Sequence, residues 1–306
     1  MLLEAMTQQV ERVRRYRKAY RNWISVMWAV YRNRPRIQLK LRNGLQLESS
    51  SEGAYQLSML LYLNRHRIIR LSDELLELEL EGKSVIFFGW SYGAVVELPD
   101  YDWLDVGEMR VLDIGASIGD TAVYFALRGA RKVVAFEPYP FSYQFALRNV
   151  EANGLRNVRV INAGISGNDG AVEVTKGETC SGDDLKPSEE PGAVEVPIYS
   201  LDHVLEEYGP FDVMKMDCEG CEYDAILNSR KIGELRQIQV EYHYGPGRLV
   251  EALRNAGFEV ETTRPKKKLQ STCERSQYVS GLHICSEVRA WIWALMIFWM
   301  QTERCC

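Results

Sequence analysis

No stretch of this 306-residue chain is apolar for long enough to cross a bilayer as a helix. The longest apolar run without a charge is Ala290–Met300, well short of the roughly 20 residues a spanning helix needs. The N-terminus is charged too densely to hold the apolar core of a secretory signal. Net charge is only −5, so no global field singles out nucleic acid as a partner. The seven cysteines (Cys180, Cys218, Cys221, Cys273, Cys285, Cys305 and Cys306) are odd in number and irregular in spacing. That does not read as a secreted disulfide framework. No internal repeat is visible. The expectation from these absences is a cytoplasmic protein. Its composition, 46% hydrophobic and 26% charged, is that of a folded chain with room for roughly two domains.

What is present falls into zones. Between Glu4 and Arg36 nine basic residues stand against two acidic ones. This segment predicts one long helix rich in arginine and aromatics, ending before Pro35. Three readings fit it: a solvated face on a packed helix, a peripheral contact with an anionic membrane surface, or a site for RNA phosphates. Ile37, Leu39 and Leu41 then alternate with polar residues ahead of Asn43-Gly44, a strand and turn. Residues 54–69 read as a helix. Residues 76–82, 84–89 and 94–98 read as short strands separated by glycines.

From about residue 108 to 262 apolar strands alternate with helices: strands at 111–114, 132–136, 158–162, 213–216 and 237–242, helices at 120–127, 142–152, from 223, and 247–256. Such alternation predicts a mostly parallel sheet covered on both faces. A polar stretch, Gly167–Pro191, interrupts it, with 171–174 and 194–198 as arms of a hairpin. Residues 258–262 and 278–284 predict a terminal antiparallel pair, with a basic run at 264–268 between them that reads as a solvated loop.

In an open parallel sheet ligands sit beyond the carboxyl ends of the strands. The first strand of the alternation ends in Asp113-Ile114-Gly115-Ala116-Ser117-Ile118-Gly119-Asp120. Gly115 permits a tight turn and close approach of a ligand to backbone. Gly119 lets the helix start pack near the strand, and its exposed N–H groups suit a carboxylate. A dinucleotide fingerprint needs glycine first, third and sixth. Here those positions hold Gly115, Ser117 and Asp120, so the pattern fails. No Lys-Ser or Lys-Thr follows the turn, so it is not a P-loop either. Glu137 stands eighteen residues after Gly119, at the end of the next strand, where a carboxylate can accept both hydroxyls of a ribose. A nucleoside without phosphates but with an amino-acid end meets these conditions. S-adenosylmethionine is such a molecule.

These residues resemble the FkbM-type class I methyltransferases, and their archaeal-looking branch in particular. The resemblance is carried by the turn 113–120, by Phe136-Glu137-Pro138, by Ser200-Leu201-Asp202, by Val240-Glu241-Tyr242-His243, and above all by Lys215-Met216-Asp217-Cys218-Glu219-Gly220-Cys221-Glu222. It spans about residues 84–262. Ser117 stands where the family often has Asn. The resemblance implies an α/β, Rossmann-like fold: a mostly parallel seven-stranded sheet with a terminal antiparallel hairpin, plus an N-terminal α+β extension. The expected division is 1–107 for that extension, a possible acceptor or partner region, 108–286 for the cofactor-binding methyltransferase domain, and 287–306 for an apolar C-terminal helix or tail. The implied activity is methyl transfer from S-adenosylmethionine to a hydroxyl of a sugar, polyketide or other small metabolite.

The roles expected are these. Asp113, Gly115, Ser117, Gly119, Glu137, Asn162 and Asp217 bind cofactor: Asp113 orients the turn and the methionine ammonium, Glu137 takes the ribose, and Asn162 approaches the adenine edge. Asp217, Glu219 and His243 are candidates for the general base. Lys215 shares a strand face with Asp217, and an ion pair between them is the simple reading of the lysine. No metal is expected. Cys218 and Cys221 are half a zinc site at most, so packing or a local disulfide is favoured. Two alternatives stay open. An RNA (tRNA) methyltransferase would use the basic N-terminal segment, although the Asn-Pro-Pro-Tyr or Asp-Pro-Pro block of base methylation is absent. A non-catalytic binding module would bind cofactor without turnover. Peripheral membrane contact could run through the N-terminal basic helix or the apolar run Ala290–Met300.

Overall fold

The computed structural model describes residues 2–263 except 64, 92–94 and 177–191, together with 266–267 and 278–285. The apolar run Ala290–Met300 and the tail 287–306, singled out by sequence, lie outside the described residues.

The N-terminal extension opens with two helices, α1 (Leu2–Ala19) and α2 (Trp23–Tyr31), where the sequence predicts one. The break has a main-chain cause. Strand β1 (Ile37–Lys40) runs past the junction, Arg21 N–H donates to the Lys40 carbonyl at 2.7 Å, and Tyr20 bridges Leu41. Those contacts take backbone groups that a continuous helix would have used internally. β1 pairs antiparallel with β2 (Gln46–Ser49), and α3 (Ser51–Leu63) follows. The predicted helix 54–69 thus ends early. Arg67–Leu71 instead forms β3, whose β-branched Ile68 and Ile69 favour a ladder, and it pairs with β4 (Leu75–Leu80), which pairs with β5 (Lys83–Phe88). In β4, Leu76, Leu78 and Leu80 are buried while Glu77 and Glu79 point the other way, as period two requires. The strand predicted at 94–98 is a 3-10 helix, Val95–Tyr101, with Pro99 inside it. Proline has no N–H to give a ladder.

The alternating region forms β6 (Arg110–Ile114), α4 (Asp120–Leu127), β7 (Lys132–Phe136), α5 (Pro140–Ala152), β8 (Val158–Ile161), β9 (Gly164–Ser166), β10 (Gly170–Val174), β11 (Val194–Ser200), α6 (Leu201–Glu207), β12 (Val213–Met216), α7 (Cys221–Asn228), β13 (Gln237–Tyr242), α8 (Gly247–Asn255), β14 (Glu259–Thr262), β15 (Lys266–Lys267) and β16 (Tyr278–Cys285). The main sheet runs in the order β8, β7, β6, β12, β13, β16, β14, with β15 attached to β16 off that path. Its first five strands are mutually parallel, and β16 is antiparallel to both neighbours. This is the expected Rossmann-like fold with its terminal antiparallel element. β10 and β11 pair antiparallel, as the hairpin reading expects, with β9 added alongside.

The strand order reverses between β6 and β12, which marks the crevice where ligands bind in such sheets. β6, β7 and β12 are buried on both faces, as expected of parallel strands under two helical layers. The extension is not a separate body. One continuous apolar cluster joins Tyr16, Leu39 and Leu78 to Val111, Val123 and Val133. Asn149 of α5 and Asn153, which caps its C-terminus, reinforce the seam. Asn149 accepts from Phe88 N–H and donates to the Phe88 and Ile118 carbonyls, and Asn153 does the same with Ile86 at 2.9 and 2.8 Å. Asn149 therefore ties strand β5 to the glycine turn after β6.

Candidate active site

The turn after β6 is shaped by two close approaches. Gly115 has φ +76°, and a Cβ there would lie 1.7 Å from the Asp217 carbonyl oxygen. Gly119 has φ +79°, and a Cβ there would press on the Ala146 backbone of α5 at 3.0 Å. Only glycine meets both the dihedral and the space. Gly115 and Ala116 N–H groups both donate to the Phe136 carbonyl at 3.0 Å, and Ser117 N–H donates to Glu137 Oε2 at 2.8 Å. The other Glu137 oxygen accepts from Tyr139 N–H at 2.9 Å. Burial pushes the Glu137 carboxyl up to about 7, against these two backbone donors, which favour the charged form. Asn162 sits at the end of β8 and donates its amide to the Glu137 and Pro138 carbonyls, both at 2.8 Å. Its NH₂ therefore braces the Glu-Pro loop.

Beneath the turn lies a buried ionic layer. Asp113 is fully buried; Oδ2 accepts from Thr121 Oγ1 at 2.6 Å, and Oδ1 is 3.2 Å from Lys215 Nζ. The ion pair of Lys215 is thus with Asp113, its cross-strand neighbour on β6, rather than the Asp217 pair the sequence suggests. The reason is register: directly opposite residues on adjacent strands lie nearer than i and i+2 on one extended strand. Lys215 also donates to the Ile114 and Gly115 carbonyls at 3.3 and 2.7 Å. Burial alone would lower the lysine, but Asp113, Asp217 and Asp120 around it raise it above its ordinary value. Asp120, at the start of α4, is itself pushed up to about 6 by burial.

On the far side of the crevice stands a second cluster. Asp217 follows β12, and the loop Cys218–Gly220 turns sharply, with Glu219 at φ +54° and Gly220 at φ +120°. Cys218 and Cys221 are joined by a disulfide across this turn, the local bridge the sequence favoured over a metal. Glu222 is fully buried; Oε2 accepts from Gly220 N–H at 2.8 Å, and Oε1 is 2.9 Å from His243 Nδ1. His243 Nε2 is 2.7 Å from Glu219 Oε2. The imidazole is therefore clamped between two carboxylates. Burial would lower it, but the hydrogen bonds to Glu219 and Glu222 outweigh this and bring it to about 10. Asp217, Glu219 and His243 each place one donor atom within 4.8 Å of the others. So the structure gathers the three base candidates into one cluster, and it adds Glu222, which sequence reading left without a role. Glu222 had a signal, its place in the Lys215–Glu222 block.

Tyr101 was not anticipated. It comes from the 3-10 helix of the extension, is buried, and has its ring 5.9 Å from Lys215 Nζ. Burial and then Asp217 and Glu241 raise its hydroxyl well above the usual range. Asp113, Asp120, Glu137, Asp217, Glu219, Glu222 and Glu241 outnumber the cations Lys215 and His243 around the crevice. Such an excess of acid focuses a negative field, suited to a ligand bearing a sulfonium and an ammonium. The tight glycine turn and the buried Glu137 carboxylate beside it are of the right kind for an adenosyl amino acid.

A parallel sheet with this strand order, a glycine turn after β6 and an acidic end to β7 define a class I S-adenosylmethionine-dependent methyltransferase. Residues 113–260 match the family model described as the Methyltransferase FkbM domain. A curated relative, the methyltransferase sdnD of Sordaria araneosa, is 25% identical over 194 residues, covering 50% of this chain and 75% of the relative. Among solved structures, the chain is similar to M. jannaschii TYW2 in complex with AdoMet, 16% identical, covering 71% of this chain and 89% of that one, with a TM-score of 0.39. The precorrin-6y C5,15-methyltransferase of Geobacter metallireducens is 14% identical, covering 62% and 86%, with a TM-score of 0.37.

Proposed function

We propose that the chain methylates a hydroxyl group on a sugar or another small metabolite, with Asp217 receiving the proton. When bound, S-adenosylmethionine supplies an electrophilic methyl group. The observation that carries the reading is the acidic end of β12: Asp217 beside Gly115, backed by Glu219, Glu222 and His243. A carboxylate can take a hydroxyl proton during attack, worth about 10²–10⁴-fold when well placed. His243, held at about 10 between two carboxylates, is protonated at neutral pH. It is better suited to fixing Glu219 and Glu222 than to acting as base. Asp113 and Lys215 support the turn from below, Gly115 and Gly119 let it pack against the Asp217 carbonyl and the Ala146 backbone, Ser117 anchors Glu137, and Asn162 steadies the Glu137 loop. The deciding experiment offers the purified protein methyl-labelled cofactor with a panel of sugars, small hydroxylated metabolites and tRNA. Label on a hydroxyl supports the reading; label on tRNA, with salt-dependent binding, replaces it with the RNA alternative.

Glu137 makes cofactor binding pH-dependent. Its raised carboxyl keeps a proton in the folded protein between its ordinary value near 4.5 and about 7. Ionising it in the empty site lowers stability as pH rises through that window. Two ribose hydroxyls need the ionised form. Affinity is therefore expected to climb from about pH 6 to about pH 8, with up to one proton released per cofactor bound below neutrality. Calorimetry in buffers of different ionisation enthalpy reads this directly. An equal pH dependence in Glu137→Gln would refute the assignment.

His243 behaves in the opposite sense. Its folded value, about 10, lies above its unfolded value near 6.5. Its contribution to stability is complete below about pH 6.5 and is lost as pH rises toward about 10. The difference in urea midpoint between the native chain and His243→Gln should shrink over that range. The imidazolium also occupies the place a cation would take among Asp217, Glu219 and Glu222, so a chelator is expected to leave turnover unchanged. Loss of activity on chelation, restored by a divalent ion, would instead make Asp217, Glu219 and His243 metal ligands.

A further inference from the structure

We propose that the outer face of α2 is a docking surface for an anionic phospholipid bilayer. α2, Trp-Ile-Ser-Val-Met-Trp-Ala-Val-Tyr, contains no charged residue. One side is used by the fold: Val26 is buried, and Trp23, Met27 and Val30 pack on the core. The other side is not. Ile24, Trp28 and Tyr31 are 68%, 58% and 62% exposed. Their spacing, i, i+4 and i+7, puts all three on one stripe of the helix. Trp28 and Tyr31 stack at 5.8 Å. Between this helix and α1 runs a groove of about 450 Å³, walled by Tyr16, Trp23 and Trp28. Water contact with so much apolar surface is unfavourable.

The charges around the stripe identify its partner. Arg21 precedes α2, Arg32 and Arg34 follow it, and all three are exposed. Arg12 reaches the groove from α1, and the Arg32 guanidinium lies over the Trp28 ring at 4.6 Å. From residue 10 to 36 nine basic residues, of which Arg15 is buried, stand against a single acid, Glu11. An uncharged helix with aromatic and aliphatic residues outward, bounded at both ends by arginine, matches the headgroup boundary. Tryptophan and tyrosine sit at that level, apolar side chains enter the acyl region, and arginine meets lipid phosphate. A nucleic acid would use the arginines and the rings but gains nothing from Ile24.

Co-sedimentation of the 306-residue chain with lipid vesicles tests this. Binding is expected to vesicles of phosphatidylcholine with phosphatidylserine, at least about tenfold tighter than to phosphatidylcholine alone. It should weaken as salt rises from about 0.1 M to about 0.5 M. The variant Ile24→Glu with Trp28→Glu changes only exposed positions. It should keep its S-adenosylmethionine affinity, which reports an intact fold, and lose vesicle binding by about tenfold or more. Absence of binding by the native chain would overturn the proposal. So would equal binding by the variant, which would place the contact elsewhere on the chain. Self-association of the native chain that the variant abolishes would give the face to a second copy, and loss of tRNA binding without any vesicle binding would give it to RNA; either result overturns the proposal.

Discussion

Replacing Lys215 by methionine is expected to destabilise the protein by about 3–5 kcal/mol, the usual cost of removing one partner from a buried ion pair. The lysine side chain is 2% exposed and its partner Asp113 is 0% exposed. Asp120 and Asp217 also contribute to its field. Without the ammonium, the buried Asp113 carboxylate would lose its charge partner and keep its hydrogen bond from the Thr121 hydroxyl. The carbonyls of Ile114 and Gly115 would lose their donor as well, and the glycine turn would loosen. Urea unfolding should therefore show the loss of stability, and calorimetry a weaker cofactor. Combining Lys215→Met with Asp113→Asn should recover part of the loss, because the uncompensated charge is gone. A loss under about 1 kcal/mol, within the range of ordinary substitutions, would mean that the pair carries little of the site's integrity.

That layer shows where sequence reading stops. The strands β6, β7, β12 and β13 were legible because buried parallel strands are short apolar runs closed by turn residues. Lys215 and Asp113 both stood in the motifs. Their pairing did not, because it depends on β12 lying next to β6 in register, and strand order is not written in local periodicity. The same limit explains the N-terminal extension. Its hairpin strands show period two, but the break between α1 and α2 is made by β1 crossing the junction. A contact between segments leaves no mark on the helix-forming residues themselves. Val95–Tyr101 misled in another way. Its apolar residues are buried as a strand's would be, and only Pro99 signals against a ladder.

The candidate site divides along similar lines. The glycine turn and Glu137 were legible because their chemistry is local: positive φ at Gly115 and Gly119 and a carboxylate at a strand end. Asn162 was found for its position, and the structure turns its amide onto the Glu137 loop. His243 and Glu219 were named together as base candidates, with no contact assigned between them. That Glu222 joins them by holding Nδ1 follows from β13 ending beside the start of α7. Tyr101 stands in none of the motifs that carry the family resemblance, and nothing in its neighbourhood of sequence marks it. It reaches the site only because the extension shares one apolar cluster with the sheet.

Asp217→Asn is expected to lower kcat by about 10²–10⁴-fold, the range of a positioned general base, and to leave cofactor affinity within a few-fold. Asparagine keeps the size of the side chain and the backbone contact with Gly115, whose turn passes the Asp217 carbonyl oxygen. It also leaves the Asp217 N–H bond to the Ile114 carbonyl at 3.0 Å. What it removes is the capacity to take a proton. Glu219→Gln should cost less, because Glu219 acts through His243, and Glu222 retains its own contact with the ring at 2.9 Å. Two other outcomes carry different meanings. A collapse of cofactor affinity with the residual kcat intact would assign Asp217 to the methionine end of S-adenosylmethionine, leaving orientation of the two bound reactants to supply the rate. Equal kcat and equal affinity would remove Asp217 from the chemistry altogether. Single-turnover measurements on Asp217→Asn beside equilibrium binding separate these cases, because one reads the transfer step and the other reads the site before transfer.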